Sequence, residues 1–292
     1  QRTGRDIWVK HENHTPIGAF KVRGGLTYVD RLMRAGHPPA GLISATRGNH
    51  GQSIAFAGGR LGIPVTIVVP EGNNLEKNAA MRAQGAELIV HGQDFDEARQ
   101  EASRLAQVRG LELVPSFDAR LVVGVATYAL ELFRAVPDLD TVYVPIGMGS
   151  GVCATIMARD LLGLTTKVVG VSAANAPANA LSFAAGRPIA TNSAATFADG
   201  LATRDPHPLA VDMICKGAEA VVTVTEDEIA EAVRLLYETT HNLVEGAGAA
   251  ALAAALQPDA QRRTGRRAVI LSGGNIDRKS MAEILMGRTP AV

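Results

Sequence analysis

The sequence predicts an α/β protein of two domains, built on mostly parallel, twisted sheets with helices on both faces. Three observations carry this expectation. Short β-branched runs alternate with helix-length segments, the rhythm of a strand, a crossover helix and the next parallel strand. Several of these runs end in a glycine-containing turn that leads straight into a helix. The 292 residues, 47% hydrophobic and 20% charged, are enough to bury a sizeable core.

The runs are Ile7 to Lys10, Leu42 to Ala45, Val65 to Val69, Glu87 to His91, Thr141 to Val144, Val168 to Val171, Val221 to Val224 and Ala268 to Leu271. Between Gly41 and Gln93 the units are compact, with helices expected from Asn49 and Asn74, which reads as a smaller domain inserted in a larger one. A turn-rich stretch at Pro115 to Asp118 marks its end. The expected division is therefore residues 41–117 for the inserted domain, and 1–40 with 118–292 for the larger. Residues 173–207, rich in Ala, Pro and Asn, read as loops with one short helix. Thr225-Glu226-Asp227-Glu228 then fits a capping box ahead of an apolar-periodic helix. In such a sheet, ligands gather beyond the carboxyl ends of the strands.

Lys plus Arg and Asp plus Glu both number 29, so the net charge is zero. With no basic tract, a nucleic-acid partner is not expected. No apolar run approaches the roughly 20 residues that span a bilayer, and no signal-peptide pattern is visible. Cys153 and Cys215 lack metal-ligand spacing and suit a reducing compartment, so a cytoplasmic location is expected. The chain begins at Gln1, almost directly with a strand, and residues are expected to precede it.

The run His14-Thr15-Pro16-Ile17-Gly18-Ala19-Phe20-Lys21-Val22-Arg23-Gly24-Gly25 places one lysine between a turn and a helix start, in a locally apolar setting. Desolvation disfavours an ammonium and lowers its pKa. An amine partly deprotonated near neutrality can form a Schiff base with a carbonyl cofactor. The alternative is an ordinary lysine whose stem lies along the core while its head reaches water.

Three strand ends carry further candidates. Val142 to Val152 runs from a strand through Gly147-Met148-Gly149-Ser150-Gly151 into a helix, where backbone amides can converge on a phosphate; close strand–helix packing would use the same glycines. The dinucleotide spacing is missing, because it needs glycine at Val152 and a carboxylate where Val169 to Ser172 has none. A monophosphate fits better. Thr46-Arg47-Gly48-Asn49-His50-Gly51-Gln52 repeats the turn and offers a seat for a substrate carboxylate, although Asn49 could simply cap the helix and His50 could be a structural histidine. Ser272-Gly273-Gly274-Asn275 puts a hydroxyl at a strand end, where it can meet a ring nitrogen or make a plain turn.

Four segments in one order, Pro16 to Gly24, Thr46 to Gln52, Gly147 to Gly151 and Ser272 to Asn275, resemble the pyridoxal-phosphate enzymes of the tryptophan-synthase-β fold type, fold type II. Within it the chain is most similar to the serine/threonine dehydratase branch. The resemblance spans essentially the whole chain and takes in Ala198 to Ala202 and Glu245 to Ala249. It implies pyridoxal 5'-phosphate as cofactor, with Lys21 as the Schiff-base lysine and Asn49 beside the cofactor's phenolic oxygen. It further implies Gly147, Met148, Gly149, Ser150 and Gly151 around the phosphate, Ser272 facing the pyridine nitrogen, Phe20 beside the ring and Glu245 near it. Thr46, Arg47, Gly48, Asn49 and His50 would seat the substrate carboxylate. The implied reaction removes the α-proton with the Lys21 amine and expels the β-hydroxyl of threonine or serine, leaving a 2-oxo acid and ammonia. By analogy, a homodimer or higher homo-oligomer is expected, and no membrane partner.

Departures refine this. Arg47 stands where racemase relatives carry a serine, so racemisation is not expected. Ser172 and Ala178 stand where some relatives carry metal-binding acids, so no metal site is expected. With Val292 as the last residue given, the regulatory C-terminal domain of some biosynthetic threonine dehydratases is not expected. Arg47 could recognise an acidic side chain, as in 3-hydroxyaspartate, or point to solvent. Other readings are a cysteine-synthase-like β-replacement enzyme, a nucleotide-binding oxidoreductase, and a catalytically silent sensor.

Overall fold

The computed structural model describes residues 6–36, 38–261 and 265–292. In chain order the elements are β1 (Ile7–His11), α1 (Lys21–Arg34), β2 (Leu42–Ala45), α2 (Asn49–Arg60), β3 (Val65–Val69), α3 (Leu75–Ala83), β4 (Glu87–Val90), α4 (Phe95–Arg109), β5 (Glu112–Leu113) and α5 (Ala119–Ala135). They continue with β6 (Leu139–Pro145), α6 (Ser150–Leu161), β7 (Lys167–Ala173), α7 (Ala178–Ala185), a 3-10 turn at Asp199–Leu201, α8 (Pro208–Gly217), β8 (Ala220–Val224) and α9 (Glu226–Thr240). The last elements are α10 (Gly246–Leu256), α11 (Pro258–Gln261), β9 (Arg266–Leu271) and α12 (Arg278–Leu285). Every expected strand is present. The additional β5 spans two residues, too few to leave a periodic signal.

Packing divides the chain into two units, residues 15–124 and residues 1–14 with 125–292. The first holds a sheet of order β4-β3-β2-β5 and the second a sheet of order β1-β9-β6-β7-β8. All the strand pairs are parallel. The sequence reading assigned residues 15–40 and 118–124 to the larger domain, whereas they pack here with the four-stranded sheet. Helix α1 lies within that difference. The Ser53 hydroxyl on α2 donates to the Lys21 carbonyl at 2.6 Å. Gly25 lets the two helices approach, since a Cβ there would lie 2.2 Å from Ser53 Oγ.

In the four-stranded unit, Leu42, Val65, Ile67 and Val69 bury against Tyr28 of α1, Ile54 of α2 and Met81 of α3. Ile43, Ala45 and Val68 turn the other way, onto Ala98, Ala102 and Leu105 of α4. Side chains alternate across a strand, so β2 and β3 each feed two cores and are apolar on both faces but for Ser44 and Thr66. In the other unit, Tyr143, Val169, Val171, Val269 and Leu271 pack on Ile229 and Val233 of α9, Ala250 and Ala254 of α10 and Ile284 of α12. The expected capping box opens α9: Thr225 Oγ1 accepts from the Glu228 amide at 3.2 Å, and Glu228 Oε2 accepts from the Thr225 amide at 2.7 Å. Among the described residues, no helix is long and apolar enough to cross a membrane.

This topology positions the site residues. β6 and β9 are parallel neighbours, so the loops leaving their carboxyl ends, from Ile146 and from Ser272, start at one edge of one sheet. In the other sheet, the loop from Thr46 leaves the carboxyl end of β2.

Candidate active site

In the unit of residues 15–124, a stapled turn delivers the lysine. Thr15 Oγ1 accepts from the Ala19 amide at 2.9 Å and donates to the Ala19 carbonyl at 2.8 Å. The turn ends at Phe20, and Lys21 is the first residue of α1. Ile17, Ala19 and Val22 bury together with Phe56 around it. An ammonium in such surroundings loses hydration, so burial pulls Lys21 down from 10.5 to about 8. Its Nζ lies 5.2 Å from the centroid of the Phe20 ring, within cation–π range.

The Thr46–Gln52 turn lies beside this lysine. Gly48 is the residue that precedes α2, and Asn49 is its first helical residue, so Asn49 does not fill the cap position. The cap is supplied by Thr46, whose Oγ1 accepts from the amides of Gly48 at 3.0 Å and Gly51 at 3.3 Å. That hydroxyl shapes the turn. His50 is only 7% exposed, and its pKa falls to about 3 because burial and the nearby Lys21 disfavour a second positive charge; a hydrogen bond to the Val114 main chain acts the other way. It is a neutral imidazole at physiological pH. Two polar atoms in this turn, His50 Nε2 and Gln52 Nε2, are buried without a hydrogen-bond partner. Buried polar groups are nearly always paired, so orphans grouped at one helix start mark a place where a polar ligand belongs. Arg47 is exposed.

In the other unit, the loop after β6 forms a cradle. Gly149 precedes α6 with φ of 98°, a left-handed conformation that favours glycine. Gly147 is pressed against the main chain of the 3-10 turn, where a Cβ would sit 2.1 Å from the Gly200 carbonyl oxygen. Met148 lies between them, and Ser150 and Gly151 open α6, buried. The Tyr128 hydroxyl donates to the Gly151 carbonyl at 2.8 Å and fixes the helix start. First-turn amides of a helix have no intrahelical acceptor, and two of the three residues just ahead of α6, Gly147 and Gly149, carry no side chain. At the neighbouring strand end, Ser272 follows β9 and is buried. Glu245, also buried, precedes α10, and its amide donates to the Gly273 carbonyl at 3.2 Å. This unit therefore groups Gly147–Gly151, Glu245 and Ser272, and the first unit groups Phe20, Lys21 and Thr46–His50.

The parts that hold the Gly147–Gly151 loop in shape carry no local sequence signal. Asn179 at the start of α7 donates to the Gly147 carbonyl at 2.9 Å, and Glu226 Oε2 accepts from Thr196 Oγ1 and from the Phe197 amide, both at 3.0 Å. Ala198 to Ala202 had been noticed as a motif, without a role. Nothing in local sequence marks Asn179, because its partner lies 32 residues away.

Residues 1–273 match a family model described as pyridoxal-phosphate dependent enzyme. The chain is 35% identical over 277 residues to an L-threonine ammonia-lyase of Thermotoga maritima, covering 94% of this chain and 68% of that protein. Its structure is similar to that of the processed form of threonine deaminase isoform 2 from Solanum lycopersicum, with a TM-score of 0.91 at 29% identity, over 98% of this chain and 84% of that one. Maize serine racemase also superposes with a TM-score of 0.91, at 27% identity, over 98% and 88% of the two chains.

Proposed function

Because this chain belongs to the family of pyridoxal-phosphate-dependent enzymes, we propose that it is an ammonia-lyase that converts threonine or serine to a 2-oxo acid and ammonia. The observation that carries the proposal is the Lys21 amine, desolvated to about 8 at the start of α1 beside a neutral histidine. The cofactor fits the residues present: an amine held down to about 8 for its aldehyde, a cradle without side chains at Gly147 and Gly149 for its phosphate, and a buried hydroxyl at Ser272 for its ring nitrogen. When bound, pyridoxal phosphate supplies an electron-withdrawing ring that lowers the cost of removing the substrate's α-proton.

The chain's own residues divide the remaining work. Lys21 would hold the cofactor through Nζ, and the same atom, as a free amine, would accept the substrate's α-proton. Gly147, Met148, Gly149, Ser150 and Gly151 bind the phosphate with helix-start amides. Phe20, Asn49 and Glu245 would help hold the cofactor, with Phe20 offered to the ring and Asn49 to the phenolic oxygen. Ser272 donates or accepts a hydrogen bond at the ring nitrogen without transferring a proton there, which favours elimination. Gly48, Asn49 and His50 seat the substrate carboxylate in a turn whose shape Thr46 maintains. His50, kept neutral, adds no competing acid beside Lys21.

The test is to incubate the purified protein with threonine and with serine and to measure 2-oxo acid and ammonia. Equal amounts of the two products are expected. Turnover only when a thiol is added would assign a β-replacement enzyme instead, and inversion of serine without keto acid would assign a racemase.

Two further outcomes follow from the geometry. Covalent attachment of cofactor to the apo-protein needs the neutral amine, so its rate is expected to fall tenfold per pH unit below about 8 and to level off above it. A plateau reached only above pH 10, the range of an ordinary lysine, would contradict the desolvated amine. Arg47→Ala is expected to leave the ratio of kcat/KM for threonine over threo-3-hydroxyaspartate unchanged, as suits an exposed guanidinium. A loss confined to hydroxyaspartate would instead make Arg47 a reader of acidic side chains. Two free cysteines and the family's habit support a cytoplasmic homo-oligomer.

A further inference from the structure

We infer that Asn179 is a positioning residue for the cofactor's phosphate, acting through the Gly147 carbonyl; this rests on the reading of Gly147–Gly151 as the phosphate loop. Asn179 is 4% exposed, and its Nδ2 donates to the Gly147 carbonyl at 2.9 Å. Gly147 has no side chain through which the protein could hold it. Its peptide is therefore held from two directions, by the amide of α7 on its oxygen and by the Gly200 carbonyl against its Cα. The second support is itself tied down, because Glu226 accepts from Thr196 Oγ1 and the Phe197 amide, just ahead of the 3-10 turn that carries Gly200.

The consequence concerns direction as well as stiffness. A peptide whose carbonyl oxygen is bound on one side must present the following N–H on the opposite side. Anchoring the Gly147 oxygen on α7 thereby turns the Met148 amide away from α7. The carbonyl is also kept from swinging toward the helix start, where it would repel an anion. Preorganised amides bind a phosphate without the cost of ordering the loop at that moment. Asn179 serves in this way without touching the ligand.

The experiment is an equilibrium titration of apo-protein with pyridoxal 5'-phosphate, followed by visible absorbance. Parent, Asn179→Ala and Asn179→Ser are compared, and each is titrated again with pyridoxal, which lacks the phosphate. Serine keeps a hydroxyl but is too short to reach the carbonyl, so it tests the bond with less lost volume if the alanine variant does not fold. The expected result is a dissociation constant for pyridoxal phosphate about tenfold higher in both variants, an unchanged constant for pyridoxal, and an unchanged melting temperature of the apo-protein. An unchanged constant for pyridoxal phosphate overturns the inference. Equal weakening of both ligands also overturns it, because Asn179 would then merely support the fold. If the parent binds pyridoxal no more weakly than pyridoxal phosphate, the phosphate-loop reading itself fails, which is a separate result.

Discussion

Lys21→Ala is expected to abolish turnover of threonine and serine, by about 10⁴-fold or more, since it removes the covalent anchor and the proton acceptor in one step. The loss should be chemical rather than structural. Lys21 occupies the first position of α1, where alanine is a good helix former, and its main chain joins α1 to α2. That junction uses the Lys21 main-chain carbonyl, which accepts from Ser53 Oγ in any variant. The variant should therefore fold, bind pyridoxal phosphate only reversibly and lack the visible absorption of the covalently held cofactor. Melting curves and spectra of the two proteins check this. Turnover within tenfold of the parent would remove Lys21 from the chemistry and with it the proposed mechanism.

Gly147→Ala is expected to weaken pyridoxal phosphate binding by about a hundredfold. The argument is steric. A Cβ at this position would lie 2.1 Å from the Gly200 carbonyl oxygen, far inside contact distance, and the obstacle is main chain rather than the yielding end of a side chain. Either the loop or the 3-10 turn must move by about 1 Å, and misplacement on that scale typically costs about two orders of magnitude where binding depends on aimed groups. Met148 is next in the loop and carries a side chain without conflict, so Met148→Ala serves as the control and should change affinity little. Titration of the apo-proteins with cofactor reads both. Unchanged affinity in Gly147→Ala would mean that the cradle does not meet the phosphate.

Much of the site could be read from the chain because its parts are local. The candidate lysine is announced by a turn and a helix start within a few residues, and each glycine turn follows directly on a β-branched run. Local sequence also located α9, whose capping box is a four-residue pattern. The boundary of the smaller unit was less legible. The turn at Pro115 to Asp118 is real, but the association of α1 with α2 depends on Gly25 meeting Ser53 across 28 positions, and no composition shift records such a contact. Asn49 shows the same limit on a shorter scale. Asparagine is a common cap, yet Thr46 takes that role because its hydroxyl already faces two free amides.

By itself, then, the sequence determined the alternating α/β order, the parallel sheets and the family, and it singled out the lysine and glycine turns proposed for the chemistry, because strand period, turn residues and motif spacing are properties of neighbouring positions. Only the tertiary structure decided how far each group is shifted from its ordinary behaviour. Burial among Ile17, Ala19 and Val22 sets the Lys21 amine near 8, and proximity to that amine helps keep His50 neutral. Contacts from Asn179 and Gly200 shape the phosphate loop. Desolvation and steric contact depend on what surrounds an atom in space, and residues far apart in the chain supply most of those surroundings.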